Sequence, residues 1–120
     1  AIDQGLGFVA LSPLAQGVLT AKYRHSTPPD SRAASAHLAR LMDGYFGSRS
    51  SRVVEAIART GEELDLSAAE VALAWVLAQP GVTNAIVGPR TARQLEGLLQ
   101  APSLHLQREL RDVLSEVAIP

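Results

Sequence analysis

Two short segments of this sequence carry residue types suited to holding an anion. Ser12-Pro13-Leu14-Ala15-Gln16-Gly17 offers small side chains and accessible backbone N–H groups. Gly88-Pro89-Arg90-Thr91 leads into a predicted helix N-terminus, whose free N–H groups and dipole attract negative charge. Arg90 adds a permanent charge on a planar fork that matches phosphate. A charge-assisted hydrogen bond of that kind is worth roughly 1.5–3 kcal/mol. Each segment follows an apolar run of strand length, Phe8-Val9-Ala10-Leu11 or Thr83-Asn84-Ala85-Ile86-Val87, and α/β folds put their ligands just after strands. The residues alone leave two readings open: phosphate-holding loops, or two plain connections and a capped helix.

Other candidates for chemistry lack partners. His25, His37 and His105 have no metal-ligand spacing and read as surface histidines. Glu62, Glu63, Asp65 and Glu70 fall on helix surfaces and at a cap, where solvation accounts for them. Ser12 follows a strand as a hydrolase nucleophile does, but the G-x-S-x-G elbow is missing and Pro13 spoils the turn into a helix. Lys22, Tyr23 and Tyr45 sit in a loop that supplies no orienting group. No catalytic residue and no metal ligand is therefore assigned.

The elements that must position the two loops follow from periodicity. Ser12-Pro13 ends the first strand, because Pro has no N–H to give a ladder. From Lys22 to Ser51 the pattern degrades into Ser, Pro, Arg and Gly, with a short helix expected over 33–42. From Arg52, residues Val53, Val54, Ile57, Ala58 and Leu64 share one helical face. Ser67 and Glu70 form a capping box, with Leu66 and Val71 placed for a hydrophobic staple. The helix from Ala68 to Gln79 is apolar nearly all round and is expected to be buried. Pro80-Gly81 stops it. Thr91 and Gln94 form a second capping box, opening a helix from Ala92 to about Gln100 with Leu95, Leu98 and Leu99 inward. A last amphipathic helix carries Leu106, Leu110, Val113, Leu114 and Val117. Two strands separated by helices read as a parallel pair, too apolar to face water on either side.

Composition excludes several classes. The chain has 120 residues, 47% apolar and 19% charged, with a net charge of −1 and no cysteine. Disulfide frameworks, thiolate metal sites and cysteine nucleophiles are ruled out. Residues 1–50 carry a net +2 and residues 51–120 a net −3, too mild for a nucleic-acid partner. No run of about 18 apolar residues spans a membrane, and the first residues show no basic region followed by an apolar block, so they are not expected to act as a signal peptide. A cytoplasmic location is the expectation.

Taken together, three segments resemble one family. Phe8 to Tyr23 (FVALSPLAQGVLTAKY) is similar to the seventh strand and following loop of aldo-keto reductases. Ala69 to Leu77 with Pro80-Gly81-Val82 resembles the seventh helix of that family. Ile86-Val87-Gly88-Pro89-Arg90-Thr91 with Gln94-Leu95 resembles its eighth strand and the helix beyond. The resemblance implies an α/β fold, part of a TIM (β/α)8 barrel: a C-terminal segment with two short parallel strands and about four helices. Residues 1–21 would hold strand seven and a cofactor loop, 22–51 a long loop, and 52–81 helices. Residues 82–120 would hold strand eight, a cofactor-binding helix and a C-terminal helix. A whole barrel takes about 250 residues, so this length corresponds to under half of one. The sequence opens on Ala1, in what reads as the middle of such a fold.

The resemblance also implies a function, the reduction of aldehydes and ketones with NADPH. Ser12, Leu14 and Gly17 would lie along the pyrophosphate, and Lys22 would help hold the cofactor. Gly88, Arg90 and Gln94 would line the adenosine end, with Arg90 placed for the 2′-phosphate. The sequence departs from the family at Leu11, where many members carry Trp or Tyr against the nicotinamide. It departs again at Gly97-Leu98, where Glu-Asn is common. The catalytic Asp, Tyr, Lys and His of the family sit on earlier strands and are missing here, so the chain alone is expected to be inactive. The expected partners are NADPH, a carbonyl substrate in the complete barrel, and a complementary half-barrel or a second copy. The alternative is a non-catalytic nucleotide-binding or interaction module from a truncated or split gene.

Overall fold

A computed structural model describes residues 1–119. Strand β1 (Phe8–Leu11) pairs in parallel with strand β2 (Val82–Ile86). Between them lie helices α1 (Ser48–Leu64) and α2 (Ala68–Leu77); α3 (Ala92–Glu96) and α4 (Arg108–Ala118) follow β2. The expected α/β segment with two parallel strands is therefore what forms.

The register sets Val9 opposite Asn84, Ala10 opposite Ala85 and Leu11 opposite Ile86, with an irregularity between Phe8 and Val9. At that irregularity Thr83 Oγ1 donates to the Phe8 carbonyl at 3.1 Å. Gly7 permits the approach, since a Cβ there would meet Thr83 Cγ2 at 2.7 Å. The C-terminal ends of both strands thus lie side by side, and the two candidate loops leave the sheet together. The strands are not buried on both faces as their apolarity suggests: Phe8, Val9, Leu11 and Ile86 are exposed, Leu11 to 76%. Ala10 is buried and Ala85 packs against the cluster around Leu73, so the two-stranded sheet is covered only in part among the described residues.

Helix α2 anchors the core. Ser67 caps it as expected: its hydroxyl accepts the Glu70 N–H at 3.2 Å, while its own N–H donates to Glu70 Oε2 at 2.8 Å. Val71, Ala72, Leu73 and Ala74 are all buried, Val71 completely. Burying one valine is worth roughly 1.5–3 kcal/mol. Ile57 from α1, Leu114 from α4 and Leu106 from the segment just before it pack on one side of α2, and Leu98 and Ala101 on the other. Helix α4 begins at Arg108, so Leu106, expected inside the last helix, precedes it. Trp75 Nε1 donates to Ser115 Oγ at 3.2 Å, tying α2 to α4.

Several predicted boundaries move. Helix α1 begins at Ser48, four residues inside the expected loop. Residues 33–42 form no α-helix but two 3-10 turns, Arg32–Ala34 and Ala39–Tyr45. Ser35 and His37 are weaker helix formers than the alanines around them, and Gly44 follows inside the second turn. The second turn is pinned by Met42, fully buried with Val18 and Val54. Helix α3 stops at Glu96, and Leu98 and Leu99 bond three residues back to Leu95 and Glu96. That tighter winding turns Leu98 inward and leaves Leu95 and Leu99 exposed. Leu64 and Val113 also face solvent, at the margins of their helices' apolar stripes.

Candidate functional site

The loops after β1 and β2 enclose one cleft of about 540 Å3, within the size range of small-molecule sites. Ser12, Leu14 and Gly17 line it from the first loop, and Lys22 from the turn that follows. Gly88 and Arg90 line it from the second loop, and Gln94 from α3. The seven residues that the family resemblance points to therefore line one cleft. Leu11 and Ile86, at the ends of the strands, supply its apolar floor.

The first loop is wound by residues in left-handed conformations. Ser12, Ala15 and Gln16 have φ of 54°, 47° and 59°, and Gly17 has 96°. Such conformations cost non-glycine residues energy and gather where a site must be shaped. They fold the loop into a tight double turn, with Ala15 N–H donating to the Ser12 carbonyl and Gly17 N–H to the Leu14 carbonyl, each at 2.9 Å. Gly17 also leaves room for Lys22, whose Nζ would lie 2.9 Å from a Cβ at that position.

The second loop differs from the expected capping box. The Gln94 N–H donates to Thr91 Oγ1 at 3.2 Å, as predicted. The Gln94 side chain, however, reaches past Thr91 and accepts the Arg90 N–H at 2.7 Å. The Arg90 backbone donor is thus already satisfied. Helix α3 has five residues, too few for a strong dipole, so the attraction for anions here comes from side-chain charge rather than from a helix terminus.

That charge is one-sided. Lys22, Arg32, Arg90 and Arg93 line the cleft, and no Asp or Glu does. Arg90 Nη2 lies 3.6 Å from Asp30 Oδ2, but Asp30 is at the rim with its side chain 83% exposed. Among the described residues Lys22, Arg32 and Arg93 have no carboxylate partner within 4 Å. A chain of net charge −1 thus concentrates four cations around one cleft.

Sequence reasoning missed Arg32 and Arg93. Arg93 sits one helical turn after Arg90, a spacing that could have flagged it. Arg32 lies in the long loop, where no spacing links it to either strand. It arrives because the loop folds back: the Ala33 N–H donates to the Tyr23 hydroxyl at 3.4 Å, and Tyr23 packs edge-on against Phe46, ring centroids 5.6 Å apart. His25, His37 and His105 are exposed and lie outside this cleft. No helix among the described residues is long and apolar enough to cross a membrane.

Parallel strands separated by helices, with a ligand-sized cleft at their C-terminal ends, are the arrangement of an α/β barrel segment. The sequence matches the aldo/keto reductase family over residues 1–118, and the chain belongs to that family. It is 37% identical over 115 residues to the "Uncharacterized oxidoreductase YrpG" of Bacillus subtilis, covering 96% of this chain and 33% of that protein. It is 32% identical over 101 residues to the L-glyceraldehyde 3-phosphate reductase of Escherichia coli, covering 82% of this chain and 29% of that protein. A probable voltage-gated potassium channel subunit beta of Oryza sativa is 36% identical over 92 residues, covering 76% and 28%. The chain spans about a third of the length of these relatives.

Proposed function

We propose that this chain supplies the phosphate-holding part of an NADPH site in an oxidoreductase that reduces aldehydes or ketones. The observation that carries the reading is the cleft's four cations with no acidic side chain among them. NADPH has a pyrophosphate and a 2′-phosphate, and a one-sided cationic cleft favours such an anion over a neutral ligand. The fit extends to shape: Gly17 leaves space that a Cβ would fill beside Lys22, and the strand-end residues Leu11 and Ile86 are apolar. In this reading Ser12, Leu14 and Gly17 follow the pyrophosphate and Lys22 neutralises it. Gly88, Arg90 and Gln94 hold the adenosine end, and Arg90 takes the 2′-phosphate.

When bound, NADPH supplies hydride to a carbonyl carbon. This chain's residues bind and orient the cofactor; the acid that protonates the carbonyl oxygen and its Asp, Lys and His partners belong to other strands of a complete barrel. A cytoplasmic location goes with this reading. Titrating the 120-residue chain with NADPH, followed by nicotinamide fluorescence, tests it. Saturable binding that weakens with added salt is expected. No binding at millimolar NADPH would sink the cofactor role. Carbonyl reductase turnover by the chain alone, with contaminating enzymes excluded, would overturn its assignment as non-catalytic.

The exposed strand faces favour a second role, association. Phe8, Val9, Leu11 and Ile86 form an uncovered apolar surface beside open strand edges, which attract further strands. The partner is a complementary half-barrel or a second copy of this chain. Sedimentation across a concentration series is expected to show a growing mean mass. A constant monomer mass would remove self-association.

A further inference from the structure

We propose that the fold holds a second small-molecule site, apart from the cleft: a pocket under the long loop that takes a neutral, single-ring phenol. The inference does not rest on the cofactor reading. The pocket measures about 140 Å3 and shares no lining residue with the cleft. Three segments close around it: the stretch after the first loop with Val18 and Tyr23, the end of the long loop with Phe46, and the first turns of α1 with Ser50, Val54 and Glu55. One ring suits this volume, since an apolar cavity of roughly 150 Å3 takes up benzene.

The walls select an aromatic ring. Val18 and Val54 are buried and give the pocket an apolar floor. The Tyr23 and Phe46 rings stand edge-on, 5.6 Å between centroids, an arrangement that a further ring extends. The Tyr23 hydroxyl is already engaged, accepting the Ala33 N–H at 3.4 Å and donating to Met42 Sδ at 3.9 Å. What Tyr23 has left for the pocket is its ring.

The polar side selects a neutral hydrogen-bond donor. Arg24 lines the pocket, but its charge is matched: Nη2 donates to both Glu55 oxygens, and Nη1 donates to Glu62 Oε1 at 3.3 Å. An anion therefore meets the Glu55 carboxylate rather than an unpaired guanidinium. Glu55 Oε2 accepts one bond, from Arg24 at 2.8 Å, and a carboxylate oxygen has a second lone pair to give. A phenol supplies the O–H for it and is uncharged at neutral pH, since such hydroxyls titrate near pH ~10.

The test titrates the full chain at neutral pH with phenol, toluene and benzoate, followed by 1H–15N spectra. Phenol should give saturable shifts in the backbone resonances of residues 18–25 and 45–55, with those of the exposed strands unmoved. Toluene, which lacks the hydroxyl, should bind about tenfold more weakly, as loss of one bond to a charged group does. Benzoate should also bind more weakly than phenol. Ser50→Leu puts a good helix former on the pocket wall, fills the space and should abolish the phenol shifts while α2 and cleft resonances stay in place. No saturable shifts at millimolar phenol, or shifts centred on Phe8 and Ile86, would overturn the site. Toluene binding as tightly as phenol would overturn the role of the hydroxyl, and benzoate binding more tightly would overturn the assignment of a neutral ligand. Phenol binding unchanged in Ser50→Leu would put the ligand elsewhere. Should that variant unfold, the three probes on the unaltered chain still decide.

Discussion

The ammonium of Lys22 occupies the space in which a side chain on residue 17 would begin, with a Cβ there 2.9 Å from Nζ and 3.0 Å from Cε. Gly17 is required twice, because its φ of 96° also lies where side chains are strained. The two requirements separate by measurement. In Gly17→Ala the backbone strain lowers stability by about 1–2 kcal/mol. The flexible Lys22 moves aside at little cost to stability, but the cleft loses a positioned cation, and NADPH affinity is expected to fall about tenfold. Urea denaturation and fluorescence titration read the two effects. Full affinity in a destabilised variant would show that the position of Lys22 does not matter.

Arg90 faces one exposed carboxylate, Asp30, at 3.6 Å. An exposed pair like this contributes about 0–1 kcal/mol, so a phosphate can displace Asp30 at little cost. Replacing Arg90 with Ala should weaken NADPH binding by roughly 10–100-fold and NADH binding much less, since only NADPH carries the 2′-phosphate. Titrations with both nucleotides check this. Equal losses would remove the 2′-phosphate role from Arg90.

What the sequence made legible was local. The Ser67–Glu70 box forms because its partners are three residues apart on one turn. The cleft residues of the two loops converge because both loops leave the same ends of a parallel pair. Arg32 was illegible, because its place depends on Tyr23, Phe46 and Met42 fixing a loop that has no periodicity of its own. Helix α3 was overextended for a related reason. Its leucine spacing fits an α-helix, yet Gly97 and Pro102 favour the tighter turns that bury Leu98 and expose Leu99. The apolar strands were misjudged in a different sense: their composition describes a surface made to be covered, and among the described residues only part of it is, at Ala10 and Ala85.

Gly61 lies inside α1, where alanine is ordinarily the better residue by roughly 0.5–1 kcal/mol. Here the sign should reverse. A Cβ at residue 61 would sit 2.5 Å from the Leu66 carbonyl oxygen, a backbone atom held in place as the chain turns into α2. The same turn binds Leu66 N–H to the Gly61 carbonyl at 2.8 Å. Gly61→Ala must push α1 and α2 apart at their junction, an overpacking cost of about 1–3 kcal/mol. A lower urea midpoint is expected, and a higher one would show that the junction yields freely.

Glu55 fastens the long loop to α1. Arg24 Nη2 donates to both carboxylate oxygens, at 2.8 and 3.0 Å, and Arg59 Nε donates to Oε1 at 3.1 Å. The hydrogen bonds from Arg59 and then from Arg24 hold the Glu55 carboxyl below the usual glutamate range. Because folding lowers this pKa, the stabilisation is fully present above the pKa of the unfolded chain. It is lost as pH falls through the lower folded value. Arg24 stays charged throughout, its own pKa raised chiefly by the bond to Glu55. Glu55→Gln should therefore unfold at lower urea than the unaltered chain at neutral pH, and the gap should close in strong acid. High salt should narrow the gap at neutral pH, since these groups are partly exposed. A gap that persisted unchanged through the acid range would mean that Glu55 acts through packing rather than charge.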